Sequence, residues 1–274
     1  MGCSDCPLYA LKKKLQWANP GVFPIKKYFA FKGGMHIEQQ LLKINGQLTK
    51  GTGMDDIIGK AGLEYIALET AFTNVNDMKK ARYALQVEIT CLYKLLLAAY
   101  SALGSAMELM RWVEQQTNPM FRYWYEVLLF QINMLLFVRS LRKSDIMLFL
   151  SSMKKAVPLC FDLDHIHYTK WLSVFIENLH TENKGLFDDI GKHMSVRSTD
   201  AEFSKVAYDQ RHEQNNKIVK ARNGYINLVN EEDKTFLRKL EFCSSEVHQF
   251  LDQVEQRSEE VHHKEEREKF NNIK

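Results

Sequence analysis

The stretch from Pro119 to Arg142, PMFRYWYEVLLFQINMLLFVRSLR, is hydrophobic on nearly every face of a helix. Its proline stands at a first-turn position, where a missing N–H costs nothing, and so marks the start of the helix. Such a helix belongs either in a membrane or in the middle of a protein. Glu126, Gln131 and Asn133 decide between them. The run between Arg122 and Arg139 falls short of the roughly 20 residues that a span needs, and three polar groups in lipid cost several kcal/mol. The expectation is a core helix, the most buried of the chain, in which Leu129→Ala costs about 2 to 5 kcal/mol.

What wraps around it reads as helical too. Lys79–Leu103 carries apolar residues at three- and four-residue steps, with no Pro or Gly before Gly104. Ser144–Val157 reads as a helix capped by Ser144 and stopped by Pro158, and His167–His180 as another. Between these two, Asp162, Asp164, His165 and His167 are either turn and capping residues or metal ligands. Strand patterns occur at Val22–Phe31, closed by Gly33-Gly34, at Ala201–Tyr208 and at Tyr225–Val229. These three would have to meet in one small sheet. The fold class is therefore mainly α with a small β component, and 251–274 is a mixed-charge helix or tail.

Composition adds limits. With 274 residues, 45% hydrophobic and 26% charged, the chain can form one large domain or two small ones. A net charge of +3 is too close to balance to point to nucleic acid without a local patch. Five cysteines, with no secretory segment ahead of them, suit a reducing, intracellular compartment and no disulfide framework. The opening MGCSDC looks like an acylation signal, but Cys6 stands where Ser or Thr is wanted. Cys3 and Cys6 have zinc-ligand spacing, yet no second Cys/His pair follows nearby.

The most polar block is YDQRHEQNNK, Tyr208 to Lys217. On a helix, Asp209 and Glu213 share one face, with His212 alongside and Asn216 a turn beyond. One reading is a solvated first turn, with Asp209 as N-cap and Glu213 paired to Lys217. The other is a polar pocket. Apolar anchors flank the block on both sides, so the helix that Asp209 begins would bring His212 and Glu213 toward the Gly33–His36 turn.

FSKVAYDQRHEQNNKIVK resembles the D-Q-x-H-E-Q-N-N block of a large, multi-copy family of transposon-derived proteins in invertebrate genomes. SDCPLYALKKKLQWANPGVF is similar to that family's S-D-Q-P-L-Y-A segment, YFAFKGGMHIEQQLLKINGQLTKGTG to its G-G-x-H-I-E segment, and ARYALQVEITCLYKLL to a T-R-Y-A-H-Q-V-T segment. The resemblance implies a transposase-like nuclease, with a helical insertion at 51–199 between remnants of an RNase H-like α/β core at 1–50 and 200–250. It makes Asp5, Glu38 and Glu213 the catalytic and Mg²⁺-binding carboxylates, with His36, Asp209, His212 and Asn216 in support. Two Mg²⁺ ions held by such a set activate water for phosphodiester cleavage of DNA. With DNA as the partner, the intracellular location would extend to the nucleus.

This copy also departs from the pattern. Cys6 replaces a Gln, Ala84-Leu85-Gln86 an Ala-His-Gln, and ARNGYINLV a glycine-rich stretch. The strands expected ahead of Asp5 lie outside the chain, which marks it as an N-terminally truncated copy with cleavage weakened or lost. Two functions therefore compete: a transposase-derived DNA nuclease, or a non-catalytic helical scaffold whose partner is another protein or a second copy of itself.

Overall fold

Most of the long helices begin where a side chain takes up the first amides, Asp5, Asp77, Asn118, Asp145 and Asp209 each serving one of them. The computed structural model describes residues 2–25, 27–58, 75, 77–103, 107–181, 184–197, 199, 201 and 203–221. The expected strand at 225–229 and the expected tail at 251–274 lie outside these residues. The chain divides into two units, Met1–Glu213 and Gln214–Lys274, and the first takes in both 1–50 and the helical stretch 51–199.

Strand β1 (Gly2–Ser4) leads into helix α1 (Cys6–Ala18), and β2 (Ala30–Lys32) into α2 (Gly34–Thr49). Then follow α3 (Met54–Ile58), α4 (Met78–Leu103), α5 (Leu109–Glu114), α6 (Pro119–Lys143), α7 (Ile146–Asp162), α8 (Ile166–Thr181) and α9 (Lys184–His193). Strands β3 (Ser195–Arg197) and β4 (Lys205–Ala207) precede α10 (Tyr208–Ala221). The described residues are thus mainly helical, as the periodicity predicts. No helix among them is long and apolar enough to cross a membrane.

Helix α6 lies centrally, packed against α2, α4, α7 and β4. Asn118 caps it, accepting from Met120 N and Phe121 N. Its buried side meets an aromatic cluster in which Phe149 of α7 touches Phe137 of α6, Phe31 of β2 and Phe175 of α8. Glu126 is exposed, and the side-chain amides of Gln131 and Asn133 are buried and donate to neighbouring helices. Gln131 donates to Glu88 of α4 at 2.8 Å and to Asn45 of α2 at 3.0 Å, while Asn133 donates to the Ser152 carbonyl at 2.9 Å.

Four expectations need correction. First, α6 is not the most enclosed helix: nine of its 25 residues are buried, against ten of 16 in α2. Leu129 is 41% exposed, because a helix that is apolar all round still turns one face outward. We therefore expect Leu129→Ala to cost under about 1 kcal/mol, measured as a shift in the urea midpoint.

Second, Ser144 ends α6 in a left-handed conformation (φ 59°), and Asp145 caps α7 through Leu148 N at 2.9 Å. Third, Pro158 does not stop α7, which runs on to Asp162. Pro158 and Lys154 both face solvent, so the carbonyl left without its N–H partner is open to water, and buried Cys160 holds the last turn in place.

Fourth, the strands do not meet in one sheet. β1 and β2 pair in parallel, Ser4 opposite Lys32, and β3 and β4 pair antiparallel, Val196 opposite Val206. Most of Val22–Phe31 is turn: Pro24 brings no N–H to a ladder, and Lys27 N bonds back to the Pro24 carbonyl. Asp5 does have a strand ahead of it, one too short to show an alternating pattern.

Candidate functional site

The two parallel strands end side by side, and each runs straight into a helix. Gly33 N donates to the Ser4 carbonyl at 2.9 Å, extending the ladder to the point where both helices start. Two sets of unpaired amides therefore face the same edge of the sheet, and such an edge favours negative charge. Asp5 serves the first set, accepting from Leu8 N at 3.1 Å as the N-cap of α1. The second set starts at Gly33, which has no side chain to offer.

Asp209 supplies what Gly33 lacks. Its carboxylate accepts from Met35 N at 3.1 Å and from His36 N at 3.2 Å, so a residue of α10 caps α2. At 7% exposure, burial pushes the Asp209 carboxyl above the usual carboxylate range, against the pull of those two amides. The fit is close. A Cβ at Gly33 would lie 2.2 Å from Asp209 Oδ2, and one at Gly34 would lie 2.7 Å from Leu141 Cδ2 of α6. Gly33→Ala is expected to cost about 1 to 3 kcal/mol by displacing the carboxylate. Adding Asp209→Ala to it should cost little more, because the cap is already lost. A double-mutant cycle read by urea unfolding checks both statements.

His36 is half-buried, with Nδ1 3.3 Å from Gln39 Oε1 and its carbonyl accepting from the Tyr168 hydroxyl at 3.3 Å. That hydroxyl is pushed well above its ordinary range, first by burial and then by Cys6, Asp5 and Asp209. Tyr168 thus feels Asp5 and Asp209 together, although the two acids come from opposite ends of the described chain.

Glu38 lies one turn further along α2, 2% exposed. Arg82 of α4 grips it with both arms, Nε to Oε1 at 2.5 Å and Nη2 to Oε2 at 2.6 Å. Burial opposes the Arg82 charge, but the hydrogen bonds and charge of Glu38 outweigh it and hold the guanidinium pKa above its ordinary value. Arg142 of α6 is close enough for its own pKa to be lowered, by burial first and then by Arg82, and it donates to the Lys205 carbonyl at 2.7 Å.

His212 is exposed, while Glu213 and Asn216 are half-buried, and no hydrogen bond or ion pair reaches the side chains of these three among the described residues. It is Asp209, and not Glu213, that meets the Gly33–His36 turn. No group of three or more His, Cys, Asp or Glu side chains placed to hold a metal ion occurs among the described residues. In the run from Asp162 to His167, His165 ties the turn to α2, one ring nitrogen 2.7 Å from Gln40 and the other 2.8 Å from Gln47. The turn reading of that run is the one the geometry gives.

An apolar cleft of about 380 Å³, lined by Met54, Leu92, Leu96, Trp124 and Tyr125 among others, holds no charged side chain. A family described as a domain of unknown function, DUF8702, matches residues 63–272. The chain belongs to that family. No curated protein and no solved structure matches it. The DUF8702 segment contributes Arg82, Tyr168 and Asp209 to the site, while Asp5, Lys32, His36 and Glu38 come from residues ahead of it. Sequence reasoning singled out neither Arg82 nor Tyr168. Arg82 stands beside the buried stripe Ala81, Ala84, Leu85 and Glu88 of α4, which marks the inner face of that helix but not a partner for the arginine.

Proposed function

We propose that this DUF8702 protein descends from a transposase-like nuclease and acts as a non-cleaving helical scaffold. The acids of the old site now hold the fold together. The layout supports the descent: Asp5 and Asp209 gather at the C-terminal ends of adjacent parallel strands, where open α/β sheets place their ligands. The observation that carries the loss of cleavage is the two-armed grip of Arg82 on buried Glu38.

A magnesium ion needs open carboxylate oxygens. Both oxygens of Glu38 are bonded to a guanidinium, whose charge also repels a cation, and both oxygens of Asp209 are bonded to backbone amides. The acids present do not fit a pair of Mg²⁺ ions, and no step is drawn through one.

The test is a titration of the purified protein with Mg²⁺ and with Mn²⁺, followed by thermal unfolding and by nicking of supercoiled plasmid DNA. The expected result is an unchanged melting temperature and intact plasmid. Metal-dependent nicking that disappears in Asp5→Asn would overturn the reading.

A further inference from the structure

Beside the acids, the same strand ends bury a lysine against a cysteine. Lys32 is the last residue of β2 and Cys6 the first of α1, and the parallel register sets them side by side. Lys32 Nζ lies 3.1 Å from Cys6 Sγ, with Lys32 fully buried and Cys6 only 5% exposed. The rings of Tyr168 and Tyr9 enclose the amine at 4.2 Å and 5.9 Å. No carboxylate comes within ion-pair distance of it among the described residues, although Asp5 and Cys160 contribute to its surroundings. A buried amine is ordinarily matched by an acid. Here its one hydrogen-bond partner among the described residues is a sulfur atom.

We propose that Lys32 and Cys6 form an oxidative modification site, in which a hydroperoxide joins them through a sulfenamide bond. The Cys6 sulfur attacks the peroxide and breaks its O–O bond; sulfur is oxidised by two electrons to the sulfenic acid, and with hydrogen peroxide one water leaves. The lone pair of the neutral Lys32 amine then attacks that sulfur. An N–S bond forms, the S–O bond breaks, and the departing hydroxide takes the amine proton as a second water. Thiol, amine and one hydrogen peroxide give one sulfenamide and two waters, so no further oxidant is needed.

The surroundings suit the second step. Burial lowers the Lys32 pKa against the opposing pull of Cys6, which favours the neutral amine that the second step requires. Cys160 is the nearby competitor. It is fully buried, and burial pushes its thiol up to about 11, which keeps it protonated and unreactive. The new bond would tie α1 to β2 at the edge where Asp5 and Asp209 already sit.

The experiment treats the full chain with hydrogen peroxide, digests it with trypsin without reduction, and maps the peptides by mass spectrometry. The expected product joins the Cys6 and Lys32 peptides at two hydrogens below their summed mass, is not cleaved after Lys32, and separates on adding a thiol reductant. Lys32→Met and Cys6→Ser should each abolish it. Since either variant could fail to fold, the wild-type map is decisive by itself. Normal cleavage after Lys32 with Cys6 as sulfinic or sulfonic acid would overturn the proposal. So would an unmodified Cys6 under conditions that oxidise the partly exposed Cys91.

Discussion

Arg82→Met is expected to lower the unfolding free energy by about 3 to 5 kcal/mol, because it leaves the Glu38 carboxylate buried with no charge to answer it. Glu38 is 2% exposed, so water cannot replace the lost guanidinium without opening the packing between α2 and α4. The loss of the partner, more than the worth of the pair, sets that figure. A double variant, Arg82→Met with Glu38→Leu, removes both charges and should recover most of the stability. Urea unfolding of the two single variants and the double variant measures the coupling directly. Additive losses in the double variant would mean that the pair is not the source of the effect.

Phe149→Ala is the second large loss, again about 3 to 5 kcal/mol. The ring is fully buried and meets Phe137 at 5.1 Å, Phe31 at 5.9 Å and Phe175 at 6.5 Å between ring centroids. Removing it empties the place where β2, α6, α7 and α8 come together, and no single neighbour can move in without leaving its own contacts. Its urea midpoint should fall far below that of Leu129→Ala. Both changes remove an apolar side chain, and the difference in burial, 0% against 41% exposure, carries most of the expected gap. Equal midpoints would show that this aromatic cluster is not the centre of the core.

These two residues also mark what the sequence made legible. Helix positions were readable because periodicity survives in α4, α6 and α8, and the role of Gln131 and Asn133 as core polar residues followed from the cost of the alternative. The docking of the polar block onto the Gly33–His36 turn was readable from the apolar residues on either side of it. Which acid would dock was not. Asp209 and Glu213 share a helix face, and the choice depends on the exact start of α10 relative to Gly33.

Arg82 was out of reach for a different reason. Its partner lies 44 residues away, and nothing local distinguishes an arginine that will fork onto a carboxylate from one that will face water. Pro158 was misread because the helix-ending rule is a local preference, outweighed where Lys154 faces solvent and Cys160 is buried, and Ser144 because Asp145 next to it is the cap. The strand before Asp5 is three residues long, below what any alternation can reveal.

The cap that Asp209 places on α2 has a consequence for how the protein is made. Met35 and Asp209 are 174 positions apart, so when α2 leaves the ribosome its first amides have only water to bond, and they wait while α4 to α9 are synthesised. Contacts that close so much chain slow folding. A product that terminates between Thr49 and Asp209 would contain all of α2 but lack the carboxylate that takes up its first amides, so finished and unfinished chains differ at this one group.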